Sequence, residues 1–361
     1  MSAVTGTTEV VTPGATTQGM PGRRRLPTLR TWHVLTVAAV LLELITTSSY
    51  LVYLSSLMVI YAIAALGQAL LIGKAGQVAL GGAAVMLIGS EVTGIVAATS
   101  AGTVFLVPLA CGVAASGVAG LIVGIPGLRF KGLYLILATL ALQAIASFAA
   151  QQYETDSSPG GVATDGFRLG GFTVSTDKGV LAVLAVFLVA VMLWMRRIYR
   201  GPSGRILQVL KERDDAAAVF GIDVRRWKLW AFACSSMITG LAGGLLVCFL
   251  QNATYSSFSL QIAINLLVMV FLGGATTLAG PVIGAFVITA APDLVRDLLG
   301  ALGFDSSSGW LLTNISSLEL LLYGLALLIV LLYQPAGITG AWQTFGRHAA
   351  KLITRMRRRT A

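Results

Sequence analysis

Apolar runs near the length of one helical crossing recur along most of the chain, separated by short breaks rich in glycine, proline and charge. The hydrocarbon core of a bilayer takes about 20 apolar helical residues to span. Runs of that size extend from Trp32 to about Leu54, Ser56 to Ile72, Gln77 to Ala98, Thr103 to Ile125, Gly132 to Ala150, Gly179 to Met195 and Leu229 to Leu250. A longer run, Leu260 to Leu299, is broken at Gly273 to Pro281 and reads as two spans. The last run covers Leu311 to Tyr333. Arg23, Arg24, Arg25 and Arg30 precede the first run as they would in a signal peptide. That run is too long for a signal core and more spans follow, so it is expected to be retained. The pattern predicts an all-α polytopic membrane protein, a bundle of about ten transmembrane helices.

The breaks differ in charge, and the difference orients the chain. The long polar interruption from Met195 to Lys228 holds nine of the 25 Lys and Arg residues, which marks a cytoplasmic loop at about 196–228. It also carries a short amphipathic helix. Ile206 and Leu210 are spaced i,i+4 and Ala217 and Phe220 i,i+3 along one face. Ser203 is its expected N-cap, Gly221 its terminator, and Lys211 and Asp215 an i,i+4 pair. The break at about 152–178 carries Glu154, Asp156, Asp165 and Asp177 against Arg168 and Lys178, and is expected to be external. Lys74 and the set Pro126, Gly127, Arg129 and Lys131 mark further cytoplasmic turns. Residues 1–31 are expected to be a disordered basic tail, 32–333 the membrane domain and 334–361 a basic C-terminal tail. Both tails are basic, so both termini are expected inside and the number of crossings even.

Only 11% of the 361 residues are charged, 56% are hydrophobic and the mean hydropathy is +0.84. A soluble domain carries about 25% charge. The net charge of +10 sits mostly in the tails and the central loop. It fits positive-inside topology and anionic lipid headgroups, with no call for nucleic acid. Cys111, Cys234 and Cys248 fall inside apolar segments and are read as small packing residues. His33 and His348 flank spans without catalytic partners.

No catalytic, cofactor or metal site is expected. The nearest approach to a phosphate-binding loop spaces Gly67 and Gly73 one residue too far apart and follows Lys74 with Ala75. Glu43, Glu91 and Glu319 lie in or near apolar runs, where a charge is costly and hence a functional candidate. Interfacial solvation accounts for Glu319, Glu43 sits near the middle of the first span, and Glu91 is the favoured path-lining group. Gln143 and Asn265 could add contacts to a path, though interhelical hydrogen bonding is the simpler reading. Gly73, Gly76, Gly81, Gly82 and Gly89 crowd around the third span. Close helix packing through small residues is favoured there over a broken helix lining a path. So few scattered polar groups argue against an ion-coupled carrier, and no cluster supports a membrane-embedded enzyme.

Five blocks occur in order: GKAGQVALGGAAVMLIGS, GLRFKGLYLILATLALQ, GRILQVLKERDDAAAVFGIDVRRWKLWAF, FSLQIAINLLVMVFLGGATTLAGPVIGA and LELLLYGLALLIVLLYQPAGITG. Over roughly Gly73 to Gly340 the chain resembles the branched-chain amino acid permease subunits of bacterial ATP-binding-cassette importers, the M-type partner in particular. The resemblance implies a solute path in the bacterial cytoplasmic membrane, driven by a separate ATPase. It implies a homologous second permease, two cytoplasmic ATP-binding subunits and an extracytoplasmic solute-binding protein as partners. The central loop resembles the family's ATPase-coupling segment, carried here by Arg205, Glu212, Asp214, Ala216, Ala217 and Gly221, with Asp215 beside them. The third-span block departs from the family pattern at Gly82, where an imidazole or amide is common, and near Glu91, where an aromatic is. Both are path candidates, and related permeases for urea or short amides are the alternative. A stand-alone secondary transporter is the remaining one.

Overall fold

Backbone in a hydrocarbon layer has no water to bond, so an apolar run closes its own hydrogen bonds as helix. The computed structural model describes residues 49–301 apart from 101–102, 130–131, 159, 170–171, 175, 213–216 and 218, plus the isolated positions 321, 324, 325 and 328. The expected first span up to residue 48, the last span and both tails lie outside the described residues, as do Glu43, Glu319, His33 and His348.

The long helices are α1 (Ser49–Ala69), α2 (Gly82–Thr99), α3 (Leu106–Arg129), α4 (Leu133–Ser157) and α5 (Asp177–Arg200). A short helix, α6 (Pro202–Glu212), precedes α7 (Val224–Leu250), α8 (Leu260–Gly273) and α9 (Gly280–Ala301). Among the described residues seven helices are long and apolar enough to cross a membrane; the apolar part of α9, Gly280–Leu294, is shorter. The chain is therefore a multi-pass helical membrane protein. The break between α8 and α9 falls where the sequence places it.

Several boundaries differ from the sequence reading. No break separates Leu54 from Ser56: α1 runs through, because Ser55 and Ser56 donate their hydroxyls back to the carbonyls of Leu51 and Val52 and stay satisfied within the helix. Pro126 lies inside α3, not in a turn. It forgoes the bond that an N–H there would donate to the Ile122 carbonyl, and Gly124 and Gly127 let the helix approach Phe232 closely. Helix α4 continues past Ala150 to Ser157, since its buried stripe of Thr139, Gln143, Ala146 and Ala150 extends at the same period to Glu154. Helix α5 starts at Asp177 and continues to Arg200; an acid in the first turn and bases in the last oppose its dipole favourably.

The core forms where α7 crosses the bundle, packed on α1, α2 and α3, with α9 and α5 on the other side of α1. Side chains from Ala62 to Leu66 are fully buried. Backbones touch at the crossing of α2 and α7, where a Cβ on Gly89 would overlap the backbone of Gly240. The favoured packing reading of the glycines holds there. The expected small-residue packing also holds for Cys234 and Cys248, which are buried, while Cys111 is exposed on α3.

The expected external loop shrinks to about 158–176 and folds into two strand pairs. β1 (Val162–Ala163) pairs antiparallel with β4 (Asn252–Ala253), and β2 (Arg168–Leu169) with β3 (Phe172–Thr173). These are small exceptions to an otherwise α-helical chain. They gather at one end of the bundle with the start of α1, where Tyr50 donates to Asp293 at 2.6 Å. The polar segment 201–223 lies at the opposite end, where α6 reaches the end of α1.

Candidate functional site

Two regions concentrate polar groups that packing alone does not explain. The first is the segment 201–223. Gly201 ends α5, and Pro202 opens α6 at the first helical position, where a missing N–H costs nothing. Ser203 therefore lies inside the helix and is not its cap. The buried stripe is Gly204, Leu207 and Leu210, with Ile206 only partly covered. Ala217 is fully buried, whereas Val219 and Phe220 are 86% and 80% exposed. Phe220 is thus not on the buried face the sequence suggested: it lies beyond α6, in the turn that ends at Gly221. Gly221 has φ +73°, and the Ile222 N–H donates to the Ala217 carbonyl at 3.1 Å, so the expected glycine terminator is in place. Asp223 then caps α7 by accepting from the Arg226 N–H at 3.2 Å.

Arg205 and Glu212 are exposed on α6; Asp214, Asp215 and Ala216 lie outside the described residues. Lys211 forms a link that the sequence did not reveal: its ammonium donates to the Gly73 carbonyl at 3.0 Å.

That carbonyl belongs to the second region. After Ala69 the helix widens into a π-helical turn, Leu70–Lys74, and then gives way to irregular backbone from 75 to 81. The break falls between two successive spans, at the turn the sequence expects at Lys74. Here Lys211 holds one side of the break and Thr139 of α4 the other, its hydroxyl accepting from the Leu80 N–H at 3.0 Å. Lys74 stacks its ammonium over the Tyr199 ring at 4.8 Å. Gly82 starts α2 against Gln68, and a Cβ there would overlap the amide. The Oε1 atoms of Gln68 and Gln77 are buried without a hydrogen-bond partner.

Further along α2, Glu91 is 7% exposed and takes no hydrogen bond from any donor other than Glu154. Its carboxyl adjoins that of Glu154, also 7% exposed, which accepts the Tyr255 N–H at 2.5 Å. Gln143 donates to the Phe258 carbonyl at 2.8 Å, so it and Glu154 grip both ends of the 3-10 turn Tyr255–Phe258. Asn265 accepts from Gln261 on its own helix at 3.0 Å. The sequence reading left Glu154 in the external loop; the signal it missed is the eleven-residue, three-turn spacing from Gln143. A cavity of about 450 Å³ at the strand-bearing end is lined by Tyr50, Tyr53, Asp177 and Gln251 among others, and by none of the expected path residues. No group of three metal-ligating side chains occurs among the described residues.

A model of the permease component of branched-chain amino acid transport systems matches residues 50–331, and so spans both regions. The chain belongs to this family. It is 27% identical over 270 residues to the high-affinity branched-chain amino acid transport system permease protein LivM of Escherichia coli, covering 68% of this chain and 63% of that one. It is 24% identical over 229 residues to a probable LivM of Methanocaldococcus jannaschii, covering 61% and 64% of the two chains. A probable LivH of the same archaeon is 28% identical over 189 residues, covering 50% and 53%. The chain thus spans somewhat under two thirds of the length of these relatives. No solved structure matches it.

Proposed function

We propose that the chain forms the solute path of an ATP-driven importer for branched-chain or related amino acids in the bacterial cytoplasmic membrane. In this reading it pairs with a homologous permease, receives solute from an extracytoplasmic binding protein and is driven by two cytoplasmic ATP-binding subunits. Segment 201–223 faces the cytoplasm, as do both termini. Similarity to both LivM and LivH proteins supports the paired permease.

The observation that carries the mechanism is the hydrogen bond from Lys211 to Gly73. Helix α6 packs on α5 and the π turn through Leu207 and Leu210, and beyond it the exposed pair Val219 and Phe220 offers apolar surface to a groove on the ATPase. A displacement of α6 is passed through Lys211 to the break at 70–81. That break borders Gln68, Gly82 and, along α2, Glu91. Closing the ATPase dimer then rocks the spans about an already irregular segment, where backbone rearrangement costs fewest hydrogen bonds.

Coupling separates this reading from a stand-alone carrier. Charge reversal at Asp214, or a bulky side chain at Ala217, is expected to leave membrane insertion intact and to release ATP hydrolysis from solute uptake. Both activities are read on the reconstituted complex. Wild-type coupling in these variants contradicts the assignment.

A further inference from the structure

We propose that the cavity at the strand-bearing end binds a primary ammonium group carried on a short carbon chain, at a site apart from the proposed path.

The start of α1, the start of α5 and the end of α7 meet around this space of about 450 Å³. Phe167 and Val174, joined by a backbone hydrogen bond at the base of the β2–β3 pair, complete the wall. Small-molecule sites are cavities of about 300–1,000 Å³ with apolar and aromatic walls and a few polar groups. The apolar wall here is largely aromatic. Tyr53 of α1 and Phe249 of α7 pack with ring centroids 5.3 Å apart, and Phe167 adds a third ring. The polar groups are Asp177, in the first turn of α5, and Gln251, which ends α7. Among the described residues, the Asp177 carboxylate, the Gln251 amide and the Tyr53 hydroxyl have no hydrogen-bond or ion-pair partner.

Gln251 supplies a second, independent observation. Its φ is +59°, and among the described residues it is the one non-glycine with a positive φ. Glycine ends a helix in that conformation without steric cost. A glutamine there accepts the cost and places an amide on the cavity wall. Residues held in sparsely populated backbone regions cluster at ligand sites.

The walls select the charge and form of the ligand. Asp177 is their one carboxylate, and no Lys, Arg or His lines them among the described residues. An anion would face that carboxylate and the negative faces of the rings; a cation is attracted by both. A hard divalent ion calls for six or more oxygen ligands, and no group of three metal-ligating side chains occurs among the described residues. A primary ammonium donates three hydrogen bonds, and the carboxylate, the amide oxygen and the phenol oxygen are three acceptors. The rings cover the carbon chain. Two sources carry this chemistry: a free amine or amino acid, and the ethanolamine headgroup of a membrane lipid.

The test measures equilibrium binding of tritiated 3-methylbutylammonium to the full chain in phosphatidylglycerol nanodiscs, with the signal of empty discs subtracted. The ammonium is expected to bind saturably, and 4-methylpentanoate, its anionic counterpart, is expected not to compete. D177N is expected to weaken binding about tenfold, the loss of one charge-assisted hydrogen bond. Q251G is expected to weaken it about fivefold while thermal stability stays at or above that of the wild type, since glycine suits the backbone there. A purely structural Gln251 would shift stability and leave binding alone. Absence of saturable ammonium binding, or wild-type affinity in both variants, overturns the proposal. Discs containing phosphatidylethanolamine separate the two sources. Occupancy by the headgroup is expected to raise the apparent Kd of the probe about tenfold by competition; an unchanged Kd assigns the site to a free amine.

Discussion

A lysine ammonium bonded to a backbone carbonyl at 3.0 Å is a small structure with a large lever arm, since Lys211 and Gly73 belong to segments 138 residues apart. Hydrogen bonds from charged groups contribute about 1.5–3 kcal/mol. Lys211→Met keeps the aliphatic stem and removes the bond. Reconstituted complexes of that variant are expected to hydrolyse ATP while moving about tenfold less solute per ATP; an unchanged ratio would show that the link carries no stroke. Gly89 tests packing instead of coupling. Its neighbour is the backbone of Gly240, which has no flexible end to yield. Gly89→Val is expected to destabilise the bundle by at least about 1–3 kcal/mol, read as lower thermal stability in detergent. At this scale the sequence was informative where one residue has one task. Gly221 and the Gly-rich helix contacts were legible from residue type. Glu154 was not, because its local surroundings, QQYETDS, are polar and its burial comes from helices distant in sequence.

At the scale of elements, helix α6 and the turn after it divide buried from exposed apolar groups, and the proposed docking uses the exposed ones. Leu207, Leu210 and Ala217 are buried and anchor the segment, while Val219 and Phe220 stand out from it. Replacing Val219 and Phe220 by serine is expected to leave the bundle folded and to weaken association with the ATP-binding subunits, measured by copurification from membranes. Retained copurification would place the docking surface elsewhere. Gly221→Val meets no steric neighbour within 4 Å, so its cost is the positive φ alone, about 1–2 kcal/mol. It is expected to reduce coupled uptake without lowering membrane abundance. The spans themselves were readable because apolar length is a strong signal. Their ends were not: α4 and α5 carry polar residues past the apolar run, and α3 accommodates Pro126, since helices end by capping and packing and not at the first polar residue. The break at 70–81 was visible as a run of glycines, but its irregular backbone depends on Lys211 and Thr139, from two other elements.

For the whole molecule, the proposed coupling joins the two polar regions. Lys211 of α6 links to the break after α1, from which α2 leads to Glu91. The family and the spans were legible in the sequence because both are properties of long stretches. The coupling route was not, since its decisive joint, Lys211 to Gly73, is a contact between distant segments. The proposed role makes the bundle passive: it opens and shuts, and the energy comes from another polypeptide. The most direct test reconstitutes the complex in vesicles and follows L-leucine uptake with and without ATP, and the chain alone under an imposed proton or sodium gradient. Uptake is expected only with the ATP-binding subunits and ATP present. Uptake by the chain alone, driven by the ion gradient, would contradict the account.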